Sequence, residues 1–509
     1  MSRRAFQFFL VSILVVMLMA GCVRPAPDSP TYLPAGGSDL SSSYGGGTPT
    51  ASFRLPPTRI PGSAILTPTP DFAHYAVATR SGPLTYTVRA GDTLGAIAQR
   101  YRVSVEAILQ ANGMSDPNRL EVGQTLTIPL PNPQPVGTSF KIIPDSELVY
   151  GPMSITLDLE DFIADRGGYL AAYTQEVGGE VLTGAQVIRR VAENYSVNPR
   201  LLLAVIEHRS GWVTKPNPDP ATWADPLGIG AGSPGLYLQL TWAANELNRG
   251  YYSWRAGSID AWVLADGNVV PIAPTINAGT AAVQGLFARL DYYSAWVGDV
   301  SPEGFFYTYN SLFGYPFDLA IEPLVPSNLV QPPLRLPFAA GETWFFTSGP
   351  HPGWDAGSAW AALDFAPPGE EAGCVQSDSW VTAMADGLIT RAFDGAVIQD
   401  LDGDGYEQTG WVILYMHIES RDRVQPGTFL RAGERIGHPS CEGGLSNGTH
   451  VHIARRFNGE WIAADGETPF EMDGWVSSGT GVAYDGYLRR GDQVVEAYDG
   501  AAPFNQISP

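Results

Sequence analysis

The stretch "THVHIARR", residues 449–456, predicts a β-strand that carries two histidines two positions apart. Because successive side chains of a strand point to opposite faces, His450 and His452 emerge on the same face. The whole chain has 509 residues and only seven histidines. Neutral imidazole is the commonest metal ligand in proteins. This pair therefore indicates either a metal site or two histidines that lie together by coincidence of packing.

Further candidate ligands lie in the same C-terminal part of the chain. They are found in "TSGPHPGW", "AALDFAPP", "VILYMHIES" and "IGHPSC", as His351, Asp364, His417 and His438. Asp364 lies on an apolar strand, where an unpaired carboxylate is costly. A mononuclear zinc enzyme needs three protein ligands and an open position for water, and two histidines with one aspartate can supply them. The remaining histidines can serve as proton carriers.

The motifs "SGPH", "ALDFA", "YMHI" and "GTHVHI" follow one another in this order between residues 335 and 465. Together they resemble the β-lytic and staphylolysin branch of the lysostaphin-type zinc endopeptidases. The resemblance implies that one zinc ion is bound by three ligands, namely His351, Asp364 and His452. It also implies that His417 and His450 line the site without binding metal, one as general base and the other steadying the oxyanion. We assign the base to His450.

The commoner pattern of this superfamily, His-x-x-x-Asp, is absent, because Trp360 stands at its histidine position. In the β-lytic branch the first histidine lies further upstream in "GPH", which is the place of His351. His438 fits no motif of the family and is expected to be a structural residue. The alternative is a metal-free relative that only binds cell wall, but such relatives usually lose ligands, and all five positions are present here.

The acidic segment "DLDGDGYEQTGW" begins like an EF-hand calcium loop, with candidate ligands Asp400, Asp402 and Asp404. Its twelfth position is Trp411 instead of the bidentate glutamate that the loop requires, and Glu407 is the candidate substitute. A solvated acidic turn is the favoured interpretation of this segment. A calcium ion is the alternative and would be a second cofactor beside zinc.

The N-terminus has the features of an export signal. "MSRR" is basic, and "AFQFFLVSILVVMLMAG" is an apolar run that ends in small residues. "LMAGC" resembles a bacterial lipobox, in which Cys22 becomes the lipidated N-terminus after cleavage. An uncleaved membrane anchor is the alternative. The Pro-, Gly-, Ser- and Thr-rich segment that follows cannot bury enough apolar surface to fold, and it predicts a flexible tether.

Two other cysteines remain, Cys374 and Cys441. An exported protein enters an oxidising space, so an even pair predicts a disulfide, with two unpaired buried thiols as the alternative. The formal net charge of −22 makes nucleic acid an unfavourable partner, because the acidic surface repels phosphates.

Short sequence patterns typical of strands and of helices follow one another in residues 84–129. "YTVRAGDTLGAIA", "ILQANG" and "VGQTLTIP" occur in order, with helical spacing of apolar residues in the first two. This β-α-α-β unit resembles the lysin motif (LysM). Lysin motifs bind glycans that contain N-acetylglucosamine, so the resemblance implies binding to peptidoglycan glycan strands. A small spacer domain is the alternative.

The middle of the chain is predicted to be helical. "AENYSVNPRLLLAVIEHRSGW" resembles the entry helix of lytic transglycosylases and goose-type lysozymes. Arg209 stands where that family has its catalytic glutamate, before Ser210. Glu207 is two positions away, about 200° around the helix, and should not face the same cleft. We therefore expect a glycan-binding or spacing domain without cleavage, with an active muramidase and an unrelated helical spacer as the alternatives.

Together these patterns predict a multidomain α+β protein with a β-α-α-β LysM, a helical lysozyme-like middle domain and an antiparallel β-rich zinc domain. The predicted order is signal peptide 1–22, tether 23–83, LysM 84–129, linker 130–144, helical domain 145–328, zinc peptidase 331–475 and C-terminal extension 476–509.

The predicted function is that of a peptidoglycan hydrolase, a zinc endopeptidase that cuts peptide stems or cross-bridges. It is expected outside the cytoplasm, attached to a bacterial membrane by its lipid. The competing hypothesis is a non-catalytic, wall-binding lipoprotein that regulates other hydrolases. The sequence carries no signal for an oligomeric state.

Overall fold

The computed structural model describes residues 82–89, 91–101, 103–130, 135–230, 232–369 and 373–509. The predicted signal peptide with Cys22, and nearly all of the predicted tether, lie outside these residues. Within the described ranges, no helix combines the length and the apolar character needed to cross a membrane. Among the described residues, buried hydrophobic side chains form one core within residues 86–128, one within 142–324, and a main core with a smaller second cluster within 334–507.

The first core belongs to a β-α-α-β unit. Its two strands pair antiparallel, and its elements are β1 (Leu84–Thr87), α1 (Leu94–Tyr101), α2 (Val105–Asn112) and β2 (Thr125–Ile128). Ser104 caps α2 by accepting a hydrogen bond from the backbone amide of Ala107. Gly113 ends α2 at φ 64°, a left-handed conformation that glycine adopts without strain.

The second core belongs to residues 142–324, which we call the helical domain. Its helices are α3 (Leu159–Arg166), α4 (Gly184–Tyr195), α5 (Pro199–Ser210), α6 (Leu236–Arg255), α7 (Ala278–Leu290), α8 (Tyr293–Asp299) and α9 (Phe305–Phe313). Two short antiparallel hairpins accompany them, β3 (Thr174–Val177) with β4 (Glu180–Thr183) and β5 (Ala261–Val263) with β6 (Val269–Pro271).

Helix α5 is the central helix of this domain. Asn198 caps it, Pro199 occupies its first turn, and the whole stretch from Leu201 to Ile206 is inaccessible to solvent. Helices α6 and α7 approach closely at Gly250, where an added Cβ would lie 2.8 Å from the Cα of Ala282.

The third core belongs to residues 334–509, which we call the sheet domain. Its strands are β7 (Trp344–His351), β8 (Ala362–Ala366), β9 (Val381–Thr382), β10 (Gly387–Phe393), β11 (Ala396–Asp400), β12 (Trp411–Met416), β13 (Phe429–Leu430), β14 (Arg435–Gly437), β15 (Val451–Phe457), β16 (Glu460–Trp461), β17 (Glu471–Met472), β18 (Trp475–Gly479), β19 (Gly486–Arg490), β20 (Gln493–Glu496) and β21 (Gln506–Ile507). The main sheet has the order β13-β10-β11-β12-β15-β8-β7-β21, with β16 beside β15, and every pairing is antiparallel.

Both faces of the main sheet are buried. Along β12, Ile413 and Tyr415 enter the main core, while Val412 and Leu414 enter a second apolar cluster against which Tyr252 of the helical domain packs. A strand covered on both faces needs apolar residues at every position, which explains the uninterrupted "WVILYM" of β12.

The segment 476–509, predicted as an extension, is part of this domain. Strand β21 pairs with β7, and Leu488, Val495 and Ile507 are buried in the main core. The coarse prediction of mixed helices and antiparallel sheets is confirmed.

Buried charged groups join the helical and sheet domains. Arg391 contacts both Glu193 of α4 and Glu407, and Arg456 Nη2 lies 2.8 Å from Glu407 Oε2. Burial alone raises the pKa of Glu407, but the charges of Arg391 and Arg456 outweigh burial and hold that pKa at about 2. Glu407 is therefore a charged carboxylate held between two arginines at the boundary of the two domains.

Candidate metal centre

Three adjacent strands bring the predicted ligands together. His351 is the last residue of β7, Asp364 lies in β8 and His452 in β15. His452 stands directly opposite Asp364 in the β15–β8 register. On the other side, the β7–β8 register is irregular between Ser348 and His351.

The three ligand atoms form a nearly equilateral triangle. Asp364 Oδ1 lies 3.3 Å from His351 Nε2 and 3.2 Å from His452 Nδ1, and the two nitrogens are 3.0 Å apart. Ligands bound to zinc at roughly 2.0–2.2 Å in a tetrahedron lie about 3.3 Å from one another. The triangle therefore has the size of one face of a zinc coordination shell.

Backbone carbonyls fix the tautomer of both histidines. His351 Nδ1 lies 2.8 Å from the oxygen of Gly349, and His452 Nε2 lies 3.0 Å from the oxygen of Gly353. Because a carbonyl oxygen only accepts, these two nitrogens carry the protons and the two facing nitrogens present lone pairs. Two lone pairs at this distance repel each other unless a cation lies between them.

The carboxylate of Asp364 also indicates that a cation binds between the two histidines. Asp364 Oδ1 is buried and has no hydrogen-bond partner within the part of the chain that the structure describes. Burial alone raises the pKa of Asp364, but the neighbouring His351 and His450 outweigh it and hold the pKa well below its usual range. An ionised, buried, unsatisfied oxygen facing two lone pairs fits a divalent metal ion.

His417 and His450 stand beside this triangle, with ring centroids 4.5 Å apart. Their Nδ1 atoms lie 3.0 Å from the oxygen of Glu442 and 2.8 Å from that of Gly448, so Nε2 is the lone-pair nitrogen of each ring. His450 Nε2 is 3.7 Å from Asp364 Oδ2. The structure thus gathers all five predicted side chains, whereas His438 packs elsewhere on the Trp380 ring, at 4.0 Å.

The sequence interpretation missed Tyr484. Its ring stacks on His351 at 4.7 Å, and its backbone exchanges hydrogen bonds with Gly349 and Pro350. Its φ of 70° is uncommon for a residue other than glycine. Burial, and then the charge of Asp364, raise the pKa of its hydroxyl. No motif surrounds this tyrosine, and the contact spans more than a hundred residues.

A groove of about 940 Å³ begins at Asp364 and His450. It is lined by β7 and by three loop segments, residues 373–379, 447–449 and 499–501. A disulfide joins Cys374 to Cys441, with the two Cα atoms 5.7 Å apart. One wall of the groove is therefore covalently tied to the loop that precedes His450.

The acidic loop offers oxygens of Asp400, Asp402 and Asp404 within 4.8 Å of one another. Asp400 is buried and accepts hydrogen bonds from backbone amides of its own loop, including that of Gly405 at 2.9 Å. The suggestion that Glu407 replaces the missing calcium ligand is wrong, because both of its oxygens are paired with arginines. Nothing beyond the acidic cluster itself supports calcium.

The end of helix α5 shows how Arg209 and Glu207 are used. Arg209 Nη1 lies 2.9 Å from both carboxylate oxygens of Asp291, and its Nε donates to the oxygen of Leu227. Glu207 accepts from the amides of Val213 and Thr214 and from the Thr214 hydroxyl. Glu207 is therefore occupied in holding the turn after α5, whereas Arg209 ties the end of α5 to Leu227 and Asp291.

Comparison with known proteins adds two family matches. Residues 86–129 match the LysM domain family. Residues 141–325 match the family described as the N-terminal domain of LasA. The LysM prediction is confirmed, and the helical domain corresponds to a domain family named after a protease. Its predicted resemblance to lysozymes stays a prediction.

The chain is also similar to whole proteins. Protease LasA of Pseudomonas aeruginosa is 26% identical over 323 residues, which cover 58% of this chain and 71% of that protein. Among solved structures, the M23 metalloprotease pseudoalterin is 22% identical, with a TM-score of 0.28, over 33% of this chain and 97% of that one. The catalytic domain of lysostaphin from Staphylococcus simulans is 22% identical, with a TM-score of 0.18, over 24% and 89%.

Proposed function

We propose that this protein is a zinc-dependent endopeptidase that cuts peptide stems or cross-bridges of peptidoglycan. The observation that carries the proposal is the triangle of His351 Nε2, Asp364 Oδ1 and His452 Nδ1, in which both tautomers are set by backbone carbonyls. The similarity to protease LasA and the LysM segment support the same class of substrate.

Bound in this triangle, a zinc ion would lower the pKa of a water molecule towards about 7 and polarise a peptide carbonyl. His450 accepts the proton of the attacking water at Nε2, the water oxygen bonds to the carbonyl carbon, and the proton then passes to the leaving nitrogen as the C–N bond breaks. The peptide lies in the groove that begins at Asp364 and His450, where Phe345, Thr347 and Ser348 of β7 form part of the lining.

The geometry favours His450 over His417 as the base. The carboxylate of Asp364, 3.7 Å from His450 Nε2, stabilises the imidazolium that forms when His450 takes a proton. Burial, and then the charges of His450 and His452, lower the pKa of His417 to about 4, so His417 is a weak base. His417 is left with the second role that the family resemblance implies, steadying the oxyanion.

The remaining parts of the chain bring the catalytic domain to the cell wall. The LysM unit holds glycan strands, the lipid on Cys22 anchors the chain to the membrane, and the Pro- and Gly-rich tether lets the catalytic part reach the wall. We infer that the helical domain does not cut glycan. A glycosidase needs a protonated carboxyl beside the glycosidic oxygen, and Glu207 is committed to three hydrogen bonds of its own turn.

The test is digestion of purified peptidoglycan by the zinc-loaded protein, with the products analysed by mass spectrometry. We expect new peptide amino termini and no new reducing ends. His452→Ala is the control, because it removes one ligand. Digestion by the control at the wild-type rate would contradict the proposed centre. Binding to wall without any cleavage would favour the competing regulatory role.

Reducing ends that vanish in Glu207→Gln would instead make the helical domain a glycosidase. That result would overturn only the inference about this domain and would leave the peptidase assignment standing.

A further inference from the structure

A short loop, residues 352–361, connects the proposed ligands His351 and Asp364, and we call it the ligand loop. It is folded on itself. The amide of Gly353 donates to the oxygen of Ala359 at 3.0 Å, and the hydroxyl of Ser358 donates to the oxygen of Asp355 at 2.8 Å. The ligand loop is therefore held together by hydrogen bonds between its own residues.

This loop also orients the third proposed ligand. The oxygen of Gly353 accepts the hydrogen bond of His452 Nε2 that fixes the tautomer of that ring. Gly353 is tightly enclosed, since an added Cβ would lie 2.8 Å from the ring of Trp461. The position of one carbonyl in the ligand loop thus decides where the metal-binding nitrogen of His452 points.

The helical domain holds the ligand loop from outside. Asn245 of α6 accepts a hydrogen bond from the amide of Gly357 at 2.7 Å, and the hydroxyl of Tyr195, at the end of α4, donates to Asp355 Oδ2 at 3.1 Å. The approach is close, because a Cβ on Gly357 would lie 2.0 Å from the backbone oxygen of Asn245.

Tyr195 is itself held on both sides. Its backbone oxygen accepts a hydrogen bond from Asn248 Nδ2 at 2.7 Å, and its ring meets that of Trp354 edge-on at 6.3 Å. Tyr195 is therefore fixed within the helical domain by Asn248 and touches the ligand loop at both Trp354 and Asp355.

We propose that Tyr195 and Asn245 are positioning residues of the metal centre. They act through the ligand loop and the Gly353 carbonyl on His452, so that the helical domain sets the metal affinity of a site to which it supplies no ligand from the described residues. The proposal rests on the metal centre of the proposed function. It adds that contacts from the helical domain strengthen metal binding at this centre.

The experiment measures the zinc dissociation constant of the full chain by competition with a chromophoric chelator. Loss of an outer-shell partner typically weakens metal affinity by roughly 10–100-fold. We expect about tenfold weaker binding for Tyr195→Phe combined with Asn245→Ala, and a smaller loss for each single change. Tyr307→Phe is the matched control, because Tyr307 is an exposed tyrosine of the same domain. Asn245→Asp keeps the acceptor for Gly357 and should bind zinc like the wild type.

The absorption spectrum of the cobalt-substituted chain is the second readout, because its ligand-field bands report ligand geometry. We expect these bands to shift in the double variant and to stay unchanged in Tyr307→Phe. If Asn245→Ala fails to fold, the single variant Tyr195→Phe, which removes only one hydroxyl, is used to test the positioning role.

Zinc affinities within twofold of the wild type, with an unchanged cobalt spectrum, would overturn the positioning role and leave the metal centre standing. Failure of the unmodified chain to bind zinc would instead contradict the metal centre and the proposed function.

Discussion

Glu193 of the helical domain and Arg391 of the sheet domain form an ion pair across the domain boundary, with Oε2 and Nη1 3.2 Å apart. The same guanidinium contacts Glu407, which also accepts from Arg456. Removing one member of a buried ionic group leaves the others uncompensated, which is more costly than never having buried the group.

Glu407→Gln should therefore lower the free energy of unfolding by about 3–5 kcal/mol at neutral pH. The folded-state pKa of Glu407 is about 2, below its ordinary 4.5, so its contribution is fully present above pH 4.5. It is lost as the pH falls towards 2. Denaturant titrations of both proteins at several pH values measure this difference. Glu160→Gln, which breaks the exposed pair with Arg189, should cost less than about 1 kcal/mol.

Glu147 should make the free energy of unfolding depend on pH in the direction opposite to that of Glu407. Burial raises its pKa from 4.5 to about 7, despite the charge of Arg200 and hydrogen bonds from Tyr309 and Asn198. The folded state then holds a proton that the unfolded state has released. The stabilisation is full below pH 4.5 and is lost, at up to about 1.4 kcal/mol per pH unit, as the pH rises through 7. Glu147→Gln should flatten unfolding free energy over this range, and a curve parallel to the wild type would refute the assignment.

The ligand and base roles can be separated by metal content. His452→Ala should lose zinc, because it removes one of three ligands. His450→Ala should keep about one zinc per chain and lose rate by roughly 10²–10⁴-fold, the range for a general base. Elemental analysis and a peptide-cleavage assay on the same preparations measure both. Loss of zinc from both variants would show that His450 is also needed for metal binding and that its assignment as the base is wrong.

The disulfide should contribute substantially to stability. It closes a loop with a sequence separation of 67, which corresponds to about 4 kcal/mol in the chain-entropy model. Replacing Cys374 and Cys441 together by serine should lower the free energy of unfolding by about that amount. Wild-type protein unfolded with a reductant present should behave like the double variant. An effect of reductant on the double variant itself would point to another cause.

The sequence was sufficient for the candidate metal centre because the chemistry is concentrated in short strand motifs. Once β15 pairs with β8 in register, His452 must face Asp364, and the period of a strand keeps His450 on the same side. His351 was harder to assign, since the irregular end of β7 carries no periodicity. The motif resemblance, rather than spacing, singled it out.

The contacts that the sequence did not predict are those between distant segments. Tyr484 and Asn245 lie outside every quoted motif, and Tyr195 lies in a motif that was interpreted as part of a glycan-binding domain. Tyr484 meets the site by stacking on His351, whereas Tyr195 and Asn245 each reach the ligand loop through one hydrogen bond. Glu407 was misassigned for the same reason. Its position in an acidic loop favoured calcium, whereas its arginine partners lie on strands of the main sheet.

The boundary between the two domains also bears on how the chain responds to proteases. Arg255 of the helical domain pairs with Glu460 of the sheet domain at 2.9 Å, in addition to the contact of Glu193 with Arg391. The connecting segment, residues 325–333, is in contrast largely accessible, with Val330 79% exposed. A nick there would cut the chain without separating its halves, because parting them would strand buried charges on both surfaces. The two fragments would stay together as a non-covalent complex and would unfold as one cooperative unit.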